Sequence, residues 1–247
     1  MTAEIGRTQL ETKQAEALRK LVAGTRYVLF DFDGPICDLF WRYPAAEIAR
    51  AQVDWLDSHG LKQFLRPEER FSPDPHGVLS AIAERYPESD LVVGLEENLT
   101  LHELKAAGCA RPAGYADPLI RTWVAVGARL AIVTNNSART VLSYLRGRGL
   151  DSCFTPHIYG RTQDLSLLKP HPETLNRALR AMGADKQATL MIGDAVSDYD
   201  AAQSAGVGFL GYARNPVKEQ RLLQAGVRPE RVLHSLKPLL TAVRDHS

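Results

Sequence analysis

Apolar residues follow two rhythms along the chain, and the change of rhythm divides it. Glu11–Val22 carries Ala15, Leu18 and Leu21/Val22 at helical spacing. Tyr27-Val28-Leu29-Phe30 is an unbroken apolar run, which predicts a buried parallel strand. It ends in the turn signal Asp31-Phe32-Asp33-Gly34-Pro35. From about Cys37 to about Ala113 helical periodicity takes over and no strong strand is predicted. Ile48, Val53 and Leu56 share a face within Pro44–Ser58. Val78, Leu79, Ile82 and Tyr86 mark a second helix, and Leu91, Leu95 and Leu99 lie beyond it. Breaks with Pro and Gly, such as Phe71–Gly77, separate these helices.

After Gly114 the rhythm alternates. Strands are predicted at Leu130–Thr134, His157–Gly160, Thr189–Gly193, Val207–Tyr212 and Arg231–Leu233. Helices are predicted at Leu119–Val126, Ser137–Arg148, Pro172–Met182, Asp198–Ala205, Pro216–Ala225 and after Ser235. This alternation implies an α/β fold: a Rossmann-like parallel sheet with helices on both faces. Residues 1–36 and 114–247 would form that core, with residues 37–113 as an inserted all-helical unit.

Composition narrows the picture by exclusion. The 247 residues carry a formal net charge of +1, which gives no global attraction to nucleic acid or anionic membranes. Any phosphate recognition must therefore be local. Cys37, Cys109 and Cys153 are too few and too widely spaced for a disulfide framework or a zinc site. No secretory h-region and no apolar run of membrane-spanning length is visible. The expectation is a cytoplasmic protein, monomer or homodimer, with no membrane or nucleic-acid partner.

In a parallel sheet, ligands bind beyond the carboxyl ends of the strands. That rule selects Asp31 and Asp33 after the first strand, Thr134 and Asn135 after the second, and Asp194 after a later one. Asp198 lies one helical turn on, and Lys169 precedes the helix opening at Pro172. Each alone has a capping or surface explanation. Together, in this order and each at a strand end, they point to chemistry. Asp31 and Asp194 could hold Mg²⁺ through oxygen. A carboxylate can attack phosphorus and form an aspartyl-phosphate. Asp33 could protonate the leaving oxygen and later activate water. Lys169 would hold phosphate oxygens as a point charge, and the Thr134 hydroxyl and loop N–H groups would complete an anion cradle.

Taken together, Val28-Leu29-Phe30-Asp31-Phe32-Asp33-Gly34, Ile132-Val133-Thr134-Asn135, Lys169-Pro170 and Ile192-Gly193-Asp194 to Asp198 resemble the motif series of the haloacid dehalogenase-like (HAD) superfamily. Leu168-Lys169-Pro170-His171-Pro172-Glu173 is especially like the phosphoglycolate phosphatase and β-phosphoglucomutase branch, whose members carry a helical cap. The resemblance implies that Asp31 is the nucleophile and a metal ligand. It makes Asp33 the general acid/base, with its backbone carbonyl on the metal. Thr134, Asn135 and Lys169 would be phosphate-binding, Asp194 a further Mg²⁺ ligand, and Asp198 a support for the metal site or for Lys169. Pro35 departs from the usual Thr, removing an N–H and a hydroxyl at the entry to the cap.

The expected activity is Mg²⁺-dependent hydrolysis of a small phosphorylated metabolite, a phosphomonoester. The alternatives are a phosphomutase of the same fold and a non-catalytic phosphate-binding regulatory protein. Within the insertion, Trp41, Arg42, Tyr43, Arg66, Arg70 and His76 are weighed as substrate contacts, with packed or solvated roles favoured. Arg161 and Asp164 are read as structural.

Overall fold

The computed structural model describes residues 2–246, with side chains from Thr12 onward. The chain begins with α1 (Thr2–Gly24), β1 (Tyr27–Phe30) and β2 (Cys37–Asp38). Next come α2 (Ala45–Ser58), α3 (Pro67–Arg70), α4 (Pro75–Arg85), α5 (Asp90–Ala107) and β3 (Arg111–Pro112). Then follow α6 (Ala116–Ala125), β4 (Arg129–Val133), α7 (Ala138–Arg148), α8 (Asp151–Phe154), β5 (Ile158–Tyr159) and α9 (Glu173–Met182). The chain continues with β6 (Thr189–Gly193), α10 (Val196–Ala205), β7 (Gly208–Tyr212), α11 (Pro216–Gln224), β8 (Val232–Leu233) and α12 (Lys237–Asp245).

Six parallel strands form one sheet in the order β5-β4-β1-β6-β7-β8. The continuous apolar runs are explained by burial on both faces. Along β1, Val28 and Phe30 enter one apolar cluster while Leu29 enters the other. Leu130 and Ile132 of β4, and Leu190 and Ile192 of β6, join the first face; Ala131, Val133 and Met191 join the second. The period-2 geometry of a strand produces this split. Side chains of α1, α6, α7 and α12 cover the first face, and those of α9, α10 and α11 cover the second.

Helices α2, α4 and α5 enclose a separate apolar cluster that includes Ile48, Leu56, Val78, Ile82, Leu95 and Leu99. One member, Leu165, comes from the loop between β5 and α9, far along the chain. The two ends of the insertion pair as an antiparallel ribbon, with Cys37 opposite Pro112 and Asp38 opposite Arg111. No strand is expected there from the sequence, because two-residue strands are too short to show alternation. The short helices α3 and α8 are missed for the same reason. α5 runs well past the predicted Leu99, and α10 begins at Val196 rather than Asp198. Among the described residues no helix is long and apolar enough to cross a membrane.

Candidate active site

Strand β1 lies between β4 and β6, so its carboxyl end has neighbours on both sides. Phe30 is level with Ile132 and with Ile192, and the Asp31 N–H donates to the Ile192 carbonyl at 2.9 Å. Asp31, Thr134 and Asp194 therefore emerge from adjacent strands at one edge. Gly34 takes φ +129°, and a Cβ there would fall 2.3 Å from Asp194 Oδ2. Gly193 is likewise confined, since a Cβ would lie 2.5 Å from the Asp198 carboxyl group. The first and fourth motifs thus close on each other through glycine. Gly34→Ala is expected to displace Asp194 and lower activity by about 10²-fold with the fold retained. Parallel phosphate-release assays and circular dichroism melts would check this.

Lys169 is the hub. Its Nζ donates to Asp31 Oδ1 at 2.9 Å, to Asp198 Oδ1 at 2.5 Å and to the Val133 carbonyl at 3.0 Å. Burial alone would lower its pKa, but Asp198 and Asp31 outweigh burial and hold it above its ordinary value. The ammonium is fixed, charged and buried. Its backbone is clamped as well. The Lys169 N–H donates to Asn135 Oδ1 at 2.9 Å, and Asn135 Nδ2 donates to the Lys169 carbonyl at 3.1 Å. The Asn135 side chain is thus committed to Lys169. The Thr134 hydroxyl donates to Asn136 Oδ1 at 3.2 Å.

The acids differ in their surroundings. Burial pushes the Asp33 pKa up to about 6, opposed by the Leu39 N–H that its carboxylate accepts at 2.9 Å. Burial pushes Asp194 to about 7; Lys218 opposes this, while Asp31, Asp198 and Asp33 add to it. Asp198 Oδ2 accepts from the backbone N–H groups of Asp194 and Ala195, each at 3.0 Å. Carboxylate oxygens of Asp31, Asp194 and Asp198 lie within 4.8 Å of one another. The donors are all oxygen, and a buried cluster of like charges favours a compact hard cation. Asp198 has both oxygens engaged, by Lys169 and by the two N–H groups. Asp31 Oδ2 and Asp194 Oδ1 accept no hydrogen bond among the described residues. The residues fit a divalent cation held chiefly by Asp31 and Asp194, with Asp198 behind. The Asp33 carboxylate stands outside this triad.

Two cations escape the sequence reading. Lys218, in the first turn of α11, pairs with Asp194, and Arg214 Nη1 pairs with Asp38 at 2.6 Å. Both follow β7, so applying the strand-end rule to β7 as well would have flagged them. The weighed residues of the insertion scatter. Arg70 pairs with Asp57 at 2.6 Å, Trp41 lies under the Arg111 guanidinium at 3.8 Å, and Arg42 is exposed. The Arg66 N–H donates to Glu69, and Tyr43 Oη is 2.7 Å from His102 Nδ1. His76 lies 3.6 Å from Glu103 Oε1, beside Arg161.

Pyrophosphatase PpaX of Halalkalibacterium halodurans is 34% identical over 126 residues, which cover 50% of this chain and 56% of that protein. The chain thus spans about half the length of the pyrophosphatase relatives it matches. Phosphoglycolate phosphatase of Neisseria gonorrhoeae is 27% identical over 220 residues, covering 85% of this chain and 89% of that protein. The crystal structure of CbbY from Rhodobacter sphaeroides in complex with phosphate has a TM-score of 0.64 at 20% identity, over 89% of this chain and 99% of that one. At that identity the likeness shows the fold. A family model described as haloacid dehalogenase-like hydrolase matches residues 25–206. That stretch runs from the first strand through α10 and takes in Asp31, Thr134, Lys169, Asp194 and Asp198, so the chain belongs to the haloacid dehalogenase-like hydrolases.

Proposed function

We propose that this chain is a phosphatase that hydrolyses a small phosphomonoester in the presence of Mg²⁺, through an aspartyl-phosphate on Asp31. One observation carries the reading: a carboxylate at the end of β1 is 2.9 Å from a buried lysine, and a second acid two residues on has its pKa raised to about 6. Relatives named pyrophosphatase and phosphoglycolate phosphatase support a small phosphorylated substrate.

In the first step the Asp31 carboxylate attacks phosphorus and the bond to the leaving oxygen breaks. Asp33, protonated, gives its proton to that oxygen. In the second step the Asp33 carboxylate takes a proton from water, and the water oxygen attacks phosphorus. The bond to Asp31 then breaks and inorganic phosphate leaves. Lys169 neutralises a phosphate oxygen beside Asp31, and its tie to Asp198 stops it swinging away. The Asn135 N–H and the Thr134 hydroxyl complete the cradle. Asp31, the Asp33 carbonyl and Asp194 would hold Mg²⁺, which when bound would supply positive charge to offset repulsion between nucleophile and phosphate. Residues 37–113 act as a cap over the strand ends, excluding bulk water and contacting the leaving group.

The test is phosphate release by the purified chain from a panel of phosphorylated metabolites. Release is expected with Mg²⁺, to stop with excess chelator and to return when Mg²⁺ is restored. A sugar phosphate isomerised without phosphate release would indicate a mutase. Undiminished turnover in excess chelator would remove the metal from the reaction.

A further inference from the structure

We propose that Arg161 is a positioning residue: it ties the helical insertion to the loop that carries Lys169, and so sets where the ammonium meets Asp31. The kinetic consequence rests on the phosphatase reading, whereas the structural consequence does not.

Arg161 follows β5 and Gly160, and its side chain is fully buried. The turn is tight, because a Cβ at Gly160 would lie 2.6 Å from both the Ala138 nitrogen and the Asn136 oxygen. From there the guanidinium reaches one face of α5. Its Nε and Nη2 donate to Glu96 Oε1 at 3.1 and 2.9 Å, and Nη2 also donates to Thr100 Oγ1 at 3.1 Å. Its Nη1 donates to Glu103 Oε1 at 2.9 Å. Glu96, Thr100 and Glu103 stand at helical i, i+4, i+7 positions, so a single planar fork can meet all of them.

The same Nη1 donates to the Asn135 carbonyl at 3.0 Å. Asn135 is the residue whose amide brackets the Lys169 backbone. Two residues therefore connect α5 to the ammonium beside the nucleophile. Glu103 reinforces the junction from the insertion side. Its carboxylate accepts from the Ser137 N–H at 2.8 Å and from Asn136 Nδ2 at 3.0 Å, which anchors the start of α7. Burial would raise the Glu103 pKa, but Arg161 and His76 draw it down to about 2, so it stays charged.

The segment after Arg161 has the same allegiance. Leu165 enters the apolar cluster of the insertion, and Leu168 packs against it. Both ends of the loop leading to Lys169 are thus held by α4 and α5 as well as by the sheet. The insertion cannot shift against the strand ends without unpairing Arg161 or carrying Lys169 along.

The experiment compares the full-length chain with Arg161→Met, Arg161→Lys and the charge-matched double variant Arg161→Met/Glu103→Gln. The first readout is protection of the Lys169 amide against hydrogen exchange, which needs no turnover. The second is kcat and KM on a generic aryl phosphate with Mg²⁺. The double variant removes both buried charges, so its melting temperature should return toward that of the parent. Its Lys169 amide is nevertheless expected to exchange about tenfold faster, with kcat down about tenfold and KM changed less than about threefold. Arg161→Lys should keep stability but not kcat, because an ammonium cannot span Glu96, Glu103 and Asn135 together. A stable double variant with parental Lys169 protection and parental kcat overturns the proposal. Should it not fold, Arg161→Lys supplies the same readout, and a Lys169 amide as protected as in the parent there overturns it equally. A parent without turnover would sink the phosphatase reading while the amide protection still decides the role of Arg161.

Discussion

Asp31→Asn is expected to abolish turnover, by about 10⁴-fold or more, with the fold intact. The amide keeps the shape of the carboxylate, and its oxygen can still accept from Lys169 Nζ, now at 2.9 Å from Asp31 Oδ1. Lys169 also retains Asp198 and the Val133 carbonyl, so the hub stays assembled. What disappears is the charge proposed to attack phosphorus. The melting temperature should not fall, because one acid fewer relieves the repulsion that Asp31 exerts on Asp194. Adding Asp33→Asn to Asp31→Asn should cost little more, since nucleophile and proton donor act as one unit. Phosphate release and thermal melts on the same samples check both halves. Substantial residual turnover in Asp31→Asn would show that water, not the carboxylate, attacks first.

Lys169→Ala is expected to lower the rate by about 10²-fold or more, as for loss of one preorganised transition-state contact. It should also destabilise, by about 3–5 kcal/mol, because removing one partner of a buried pair leaves the other uncompensated. Asp198 bears most of that penalty, being 1% exposed. Lys169→Arg should restore stability only in part and activity less. Asp31, Asp198 and the Val133 carbonyl surround a point donor, and a planar fork cannot satisfy all of them from the same place. Chemical denaturation alongside kinetics separates the two effects. Near-parental kinetics for Lys169→Ala would return the residue to a purely structural role.

Much of this was legible in the sequence because a parallel sheet imposes strong geometry. Val28-Leu29-Phe30 and Leu190-Met191-Ile192 are apolar on consecutive positions, which half-exposed strands do not tolerate. Once those runs are strands of one parallel sheet, their carboxyl ends share an edge, and Asp31, Thr134 and Asp194 must gather there. Periodicity also separated the helices at residues 37–113 from the alternating remainder.

Periodicity reports which face a side chain occupies, not what stands opposite. The tie between Arg161 and Glu103 joins residues 58 positions apart, and the pairing of Lys218 with Asp194 joins two strand-end segments. Arg161 reads in the sequence as an ordinary loop cation, and only the approach of α5 to the Asn135 turn makes it a buried junction. Arg70 and Trp41, for which packed or solvated roles are favoured over substrate contact, pair with Asp57 and Arg111, partners that spacing does not name. Local spacing thus determined the strands of the parallel sheet, the order of the motifs and the candidate acids. Tertiary structure alone decided how the charges pair, because a charge selects its partner by distance through space and by the loss of competing water, and neither is encoded in the spacing of residues along the chain.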